Sequence, residues 1–198
     1  MVRSQTLSMA APPTPPLTED TTDADLIRRA QQNLIHFDAL YERYVTRVYR
    51  YCLVRVNDVQ EAQDITSQTF LAALESFTSF RHQSSFSTWL IGIARHKIMD
   101  RYRQQRPQTA IDDVAHQLTT PDDHEETVHQ NLQFDQIAQK LTALAPDRAE
   151  AIALRFFASL EISEIATIMK KNEPAVRMLV HRGLQDLQTL LPGKGETA

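Results

Sequence analysis

Apolar residues recur at steps of three and four along most of the chain, the spacing of one face of an α-helix. Leu26, Ile27, Ala30 and Leu34 predict a short amphipathic helix. Phe37, Leu40, Tyr41, Tyr44, Val45, Val48, Tyr49, Cys52 and Leu53 predict a longer one, and Ala62, Ile65, Thr69, Ala72 and Ala73 a third, ending near Phe77. Trp89, Leu90, Ile93, Ala94 and Ile98 mark a fourth, entered through Ser84, Ser85 and Ser87 as candidate caps. Further along, Leu132, Ile137, Leu141 and Leu144 predict a fifth, and Ala149, Ile152, Ala153 and Phe156 a sixth that starts at Pro146. Ile162, Ile165, Ala166 and Met169 give a short seventh, and Val176, Leu179, Val180, Gly183, Leu184, Leu187 and Leu191 a long eighth.

Proline sets the punctuation. A Thr/Pro-rich start without periodicity reads as a disordered leader over residues 1–22. A helical bundle follows over 23–106, then a polar, acidic linker over 107–128, a second helical group over 129–191 and a tail over 192–198. The expected fold class is all-α: two small helical domains joined by an acidic linker. Composition agrees. Glycine occurs four times in 198 residues, where average usage would give about 14. Such scarcity argues against glycine-rich phosphate loops, dinucleotide fingerprints and hairpin-rich β folds.

One cysteine, Cys52, excludes an internal disulfide and a CxxC zinc site. No apolar run is long enough to span a bilayer and no signal pattern opens the chain, so no membrane insertion and a cytoplasmic location are expected.

Net charge is −4, which by itself speaks against a nucleic-acid partner. Its distribution changes that picture. From Arg81 to Arg106 six basic residues and one acid leave +5, while residues 107–139 hold seven acids and no Lys or Arg.

Two stretches carry candidate chemistry. Residues 161–169, the turn Lys170-Lys171-Asn172 and the helix from Glu173 have the proportions of a helix-turn-helix, with Asn172 as N-cap. The second helix offers Glu173, Arg177, Met178, His181 and Arg182 on its polar face, suited to base edges in a major groove. A plain helical hairpin with a solvated face is the ordinary alternative. Lysine at position 170, where such turns often carry glycine, costs about 1 kcal/mol in the left-handed region. The other stretch is FRHQSSFSTWLIGIARHKIMDRYRQQR, residues 80–106, in which aromatics alternate with cations. Single-stranded nucleic acid calls for that mixture of π-faces and positive charge, although Trp89 in an apolar phase also suits a core.

Together these stretches resemble the bacterial RNA polymerase sigma factors, specifically the extracytoplasmic-function (ECF) group of the sigma-70 family, over roughly residues 23–191. FDALYERYVTRVYRYC is similar to the opening of sigma region 2, and DITSQTFLAAL to its core-binding helix. FSTWLIGIARHKIMDRYR resembles the promoter-melting helix, with Trp89-Leu90, Ile93-Ala94-Arg95 and Asp100 matching and His96 in place of the usual Asn. LTALAPDRAEAIALRFFASLEISEIATIM looks like the first half of region 4, and EPAVRMLVHRGLQDLQ like its recognition helix. Lys170 for Gly and Glu161 for a capping Ser or Thr are departures.

The resemblance implies a protein that is not an enzyme and needs no cofactor, no metal and no small-molecule substrate. Its partners would be core RNA polymerase, promoter DNA and an anti-sigma factor. Carried over position by position, Asp64, Gln68, Thr69 and Phe70 would bind core polymerase. Arg81, His82, Ser85, Phe86, Trp89, Arg95, His96, Lys97, Arg101 and Arg103 would take the −10 element as single strand. Lys171, Asn172, Glu173, Arg177, His181 and Arg182 would read the −35 element as duplex. A one-component helix-turn-helix regulator binding duplex operator DNA is the alternative, and it leaves the 80–106 block unexplained. The run His124-Glu125-Glu126-Thr127-Val128-His129 is one residue too long for the HExxH zinc spacing and reads as solvated linker.

Overall fold

The computed structural model describes residues 22–105 and 137–190. All regular elements among them are helical. The leader, the acidic linker with its HExxxH run, Arg106, Leu132, Leu191 and the tail lie outside the described residues.

Helix α1 (Asp23–Gln32) opens where Thr22 accepts a bond from the Asp25 amide, and it buries Leu26, Ile27 and Ala30. A single 3₁₀ turn leads into α2 (Phe37–Val56), which supplies Leu40, Tyr44, Val48, Tyr51 and Cys52 to the core. Asn57 ends α2 in the left-handed conformation (φ 55°), a geometry Asn tolerates. Asp58 then caps α3 (Val59–Ser76) by accepting from the Glu61 amide at 2.7 Å. Helix α4 (Phe86–Gln105) packs across α2 and α3. Of the three candidate serines, Ser85 is the cap: its Oγ accepts from the Thr88 amide at 3.1 Å. Ser87 is instead buried inside the helix, where its Oγ accepts from Arg47 Nη1 at 3.1 Å.

In the second group, residues 137–142 are helical (α5). Helix α6 (Pro146–Ile152) starts with proline at its first position, then widens into a π turn over Ala153–Phe157. That turn corrects one expectation. The extra residue breaks the step of three and four, so Phe156 points outward, 53% exposed, instead of joining Ile152 and Ala153 inside. Helices α7 (Ile162–Met169) and α8 (Glu173–Leu190) meet the expected helix-turn-helix boundaries; α8 buries Val176 and Gly183, and Gly183 lies against Ile152 of α6. Leu184 departs from the expected inward stripe and is exposed.

The buried side chains of both groups form one continuous core. The π turn rests on α2, and α7 rests on α4.

Candidate nucleic-acid and polymerase interface

The loop before α4 is built on aromatic packing. Phe37, Phe77, Phe80 and Phe86 pack with ring centroids 5.2 to 6.5 Å apart, and Tyr44 and Trp89 close on Phe86 at 5.2 and 5.6 Å. This corrects the sequence reading for Phe86. It is 2% exposed, so its faces are spent on the core and are closed to a base. Trp89 is half-buried against Phe80 and Phe86 and keeps one side toward the surface. On the loop, His82 adopts φ 55° with its ring 4.8 Å from Phe80, which holds it on the surface beside exposed Arg81 and Ser85.

The basic side chains of α4 do not form one strip. Successive helical positions turn by about 100°, and the partners divide accordingly. Arg95 points toward the second group of helices and donates from Nε to Glu150 Oε1 at 3.0 Å. His96 Nδ1 lies 2.8 Å from Asp100, which also pairs with Arg103. Lys97 and Arg101, one turn apart, line a polar groove of about 600 Å³ between α3 and α4, where Arg101 bonds Glu61 at 2.7 Å. Asp64 and Gln68 line the same groove.

Helix α3 divides the four candidate polymerase contacts. Asp64 and Gln68 are exposed. Thr69 and Phe70 are buried: the Thr69 hydroxyl donates to the Ile65 carbonyl at 2.7 Å, and Phe70 packs edge-on against Tyr41 at 4.7 Å. These two support the helix from behind and cannot themselves touch a partner.

The helix-turn-helix is braced at each joint. Glu161 and Glu164 form a reciprocal capping box at the start of α7. Lys170 sits at φ 54° with its amide bonded back to α7, so the turn keeps its shape without glycine. Asn172 Oδ1 accepts from the Ala175 amide at 2.9 Å, capping α8. Lys171 pairs with Asp147 at 3.0 Å, which ties the turn to α6. On the outer face of α8, Arg177 pairs with Glu173 at 2.7 Å, and His181 and Arg182 are exposed.

Two carboxylates that the periodicity did not single out join the groups. Glu150, 5% exposed, receives the Tyr51 hydroxyl at 2.9 Å and Arg95 Nε on Oε1. Arg55 Nε lies 2.9 Å from its Oε2, an ion-pair contact without hydrogen-bond alignment. Glu164 Oε1 accepts from Ser85 Oγ at 2.5 Å and Thr88 Oγ1 at 2.6 Å. Burial pushes the Glu164 carboxyl up, but the two hydroxyls, the Glu161 amide and the Arg47 charge outweigh it and hold the group below its ordinary value. Contacts spanning 55 to 99 positions leave no mark in local periodicity.

Comparison with known proteins decides what this scaffold is. The family model Sigma-70 region 2 matches residues 40–108, and Sigma-70, region 4 matches residues 134–187. The chain belongs to the sigma-70 family. Its relatives place it in the ECF group. It is 33% identical over 175 residues to the ECF RNA polymerase sigma factor BldN of Streptomyces coelicolor, covering 85% of this chain and 65% of that one. It is 29% identical over 161 residues to the ECF RNA polymerase sigma factor SigX of Bacillus subtilis, covering 77% and 81%. The chain thus spans just under two thirds of BldN and most of SigX. The fold matches that of CnrH, solved with the cytosolic domain of CnrY, with a TM-score of 0.68 at 21% identity, covering 87% of this chain and 99% of that one. The sigma factor RpoE of Bartonella quintana, solved with the anti-sigma factor NepR, gives 0.63 at 19% identity, covering 80% and 98%. The function is that of a sigma factor, and the one-component regulator falls away. Among the described residues no helix is long and apolar enough to cross a membrane, and no group of His, Cys, Asp and Glu is arranged to hold a metal.

Proposed function

We propose that this sigma factor lends promoter specificity to core RNA polymerase in the cytoplasm without catalysing a reaction itself. In this reading residues 23–106 act as region 2 and 129–191 as region 4, joined by the acidic linker. Asp64 and Gln68 contact core polymerase from the exposed face of α3. The loop with Arg81, His82 and Ser85, the open side of Trp89, and Arg95, His96, Lys97, Arg101 and Arg103 receive the melted −10 strand. Unstacking a base costs a few kcal/mol, offset by pocket contacts and by neutralised phosphates. Lys171, Asn172, Arg177, His181 and Arg182 take the −35 duplex, while Glu173 holds Arg177 and favours the positive end of α8. An anti-sigma factor is the expected regulator, by analogy with the partner named in the RpoE–NepR structure.

The ordered pair of region matches on one chain carries this reading. Run-off transcription with cognate core polymerase on genomic fragments tests it. Initiation that requires both core and this chain is expected; no initiation from any fragment would overturn it.

A further inference from the structure

The outer face of α8 is polar except for one large apolar side chain. Met178 is 49% exposed. The inner side of α8 carries Val176 and Gly183, both buried, and Leu179, Val180 and Leu187, which pack against the core. At about 100° per residue, Met178 points almost directly away from that side. Exposed His181 and Arg182 flank it one turn later, and Arg177, paired with Glu173, stands beside it. Leu184, the next exposed large apolar residue of α8, lies about 120° round the helix and about 9 Å along it. Met178 is therefore a single apolar point set among Arg177, His181 and Arg182.

A protein partner calls for a contiguous apolar patch of several hundred Å², and one thioether among cationic and imidazole side chains does not supply it. A DNA major groove calls for this mixture. Its walls are phosphates, its floor presents hydrogen-bonding edges, and the apolar group on that floor is the C5 methyl of thymine. We propose that Met178 reads thymine in the −35 element by packing its side chain on that methyl group, while the arginines beside it make the polar contacts. This rests on the assignment of α8 to the −35 duplex above. The length of an unbranched, polarisable side chain suits it to reach the groove floor past the bulk of its own helix. The Asn172 cap and the Lys171–Asp147 pair fix the start of α8 relative to α6, so the face that carries Met178 is presented by a braced element and not by a loop.

The test uses the holoenzyme, this chain with its cognate core polymerase, on a promoter mapped by run-off transcription. Each thymine of the −35 element, on either strand, is replaced in turn by deoxyuridine, which keeps every hydrogen-bonding group and loses only the methyl. The parent is expected to lose about fourfold in promoter affinity at one or two thymines, the weight of one methyl group no longer withdrawn from water. Met178→Ala should lose a similar factor on the unmodified promoter and show no further loss from uracil at those positions. Met178→Leu should restore the response to uracil. Melting temperatures of both variants should stay near that of the parent, since the side chain lies outside the core. Uracil without effect on the parent at every position would overturn the proposal. So would a uracil loss that persists in full in Met178→Ala, which would give the methyl to another residue. Scrambling the whole −35 element separates the two layers of the reading. If initiation does not change, the assignment of α8 to that element fails and the role of Met178 with it; if initiation falls while uracil is silent, the role of Met178 alone fails.

Discussion

Gly183 lies so close to Ile152 that a β-carbon on it would stand 2.9 Å from Ile152 Cγ1 and 3.3 Å from its Cδ1. Ile152 is fully buried, so it has nowhere to move. Here the glycine is required by close approach of α8 to α6, not by its backbone angles.

Gly183→Ala therefore sets two effects against each other. Alanine gains about 1 kcal/mol of helix propensity, while forcing a methyl group into a packed core typically costs 1–3 kcal/mol. The expected outcome is net destabilisation of about 1 kcal/mol, read as a lower midpoint in urea denaturation. The double change with Ile152→Ala should be non-additive, since the two sites touch.

Asp64 and Gln68 are exposed one turn apart, whereas Thr69 is buried with its hydroxyl bonded to its own helix. Alanine at both Asp64 and Gln68 should reduce affinity for core polymerase, by about thirtyfold if each polar contact contributes about 1 kcal/mol. Thermal unfolding should shift little. A large fall in melting temperature would show that the pair supports the fold.

Arg177→Ala removes the cation beside Glu173. Assayed on single-base −35 variants, it should weaken initiation and relax preference at one or two positions, by about 1–3 kcal/mol of discrimination for a lost bidentate contact. Uniform loss at every variant would reassign Arg177 to phosphate anchoring.

Glu164 has its carboxyl held below the ordinary 4.5. A carboxyl lowered by folding contributes stability that is fully present above its unfolded value and is lost as pH falls through the folded one. The contact with Ser85 and Thr88 should thus hold at neutral pH and weaken in acid. Comparing acid unfolding of the parent and Glu164→Gln checks this: the variant should show a shallower fall in stability below about pH 4.5.

The helix-turn-helix was legible because the devices that mark its helix boundaries are local: a cap at Asn172, proline at position 174 and an apolar stripe on α8. Phe86 and Phe70 misled because sequence spacing gives the phase of a helix but not which apolar residue the core consumes, and both pack among rings brought in by α2. The basic block could not be divided in the sequence, because a run of cations shows charge density, not the 100° turns that send Arg95 and Lys97 to different neighbours. Glu150 and Glu164 gave no signal at all, since a carboxylate's worth there depends on hydroxyls and guanidinium groups far away in the chain.

The wide turn at Ala153–Phe157 works as a phase adjuster between two fixed points. Pro146 and Glu150 anchor the start of this helix, and α7 must still reach the N-terminal end of α4. Deleting one residue from the wide turn would restore ordinary helical winding. It would also rotate everything downstream by about 100° and draw it back by about 1.5 Å. Phe156 would swing toward the interior and α8 would be turned off Ile152, the contact that Gly183 permits, so the wide turn is what lets α8 close on α6 while α7 reaches α4.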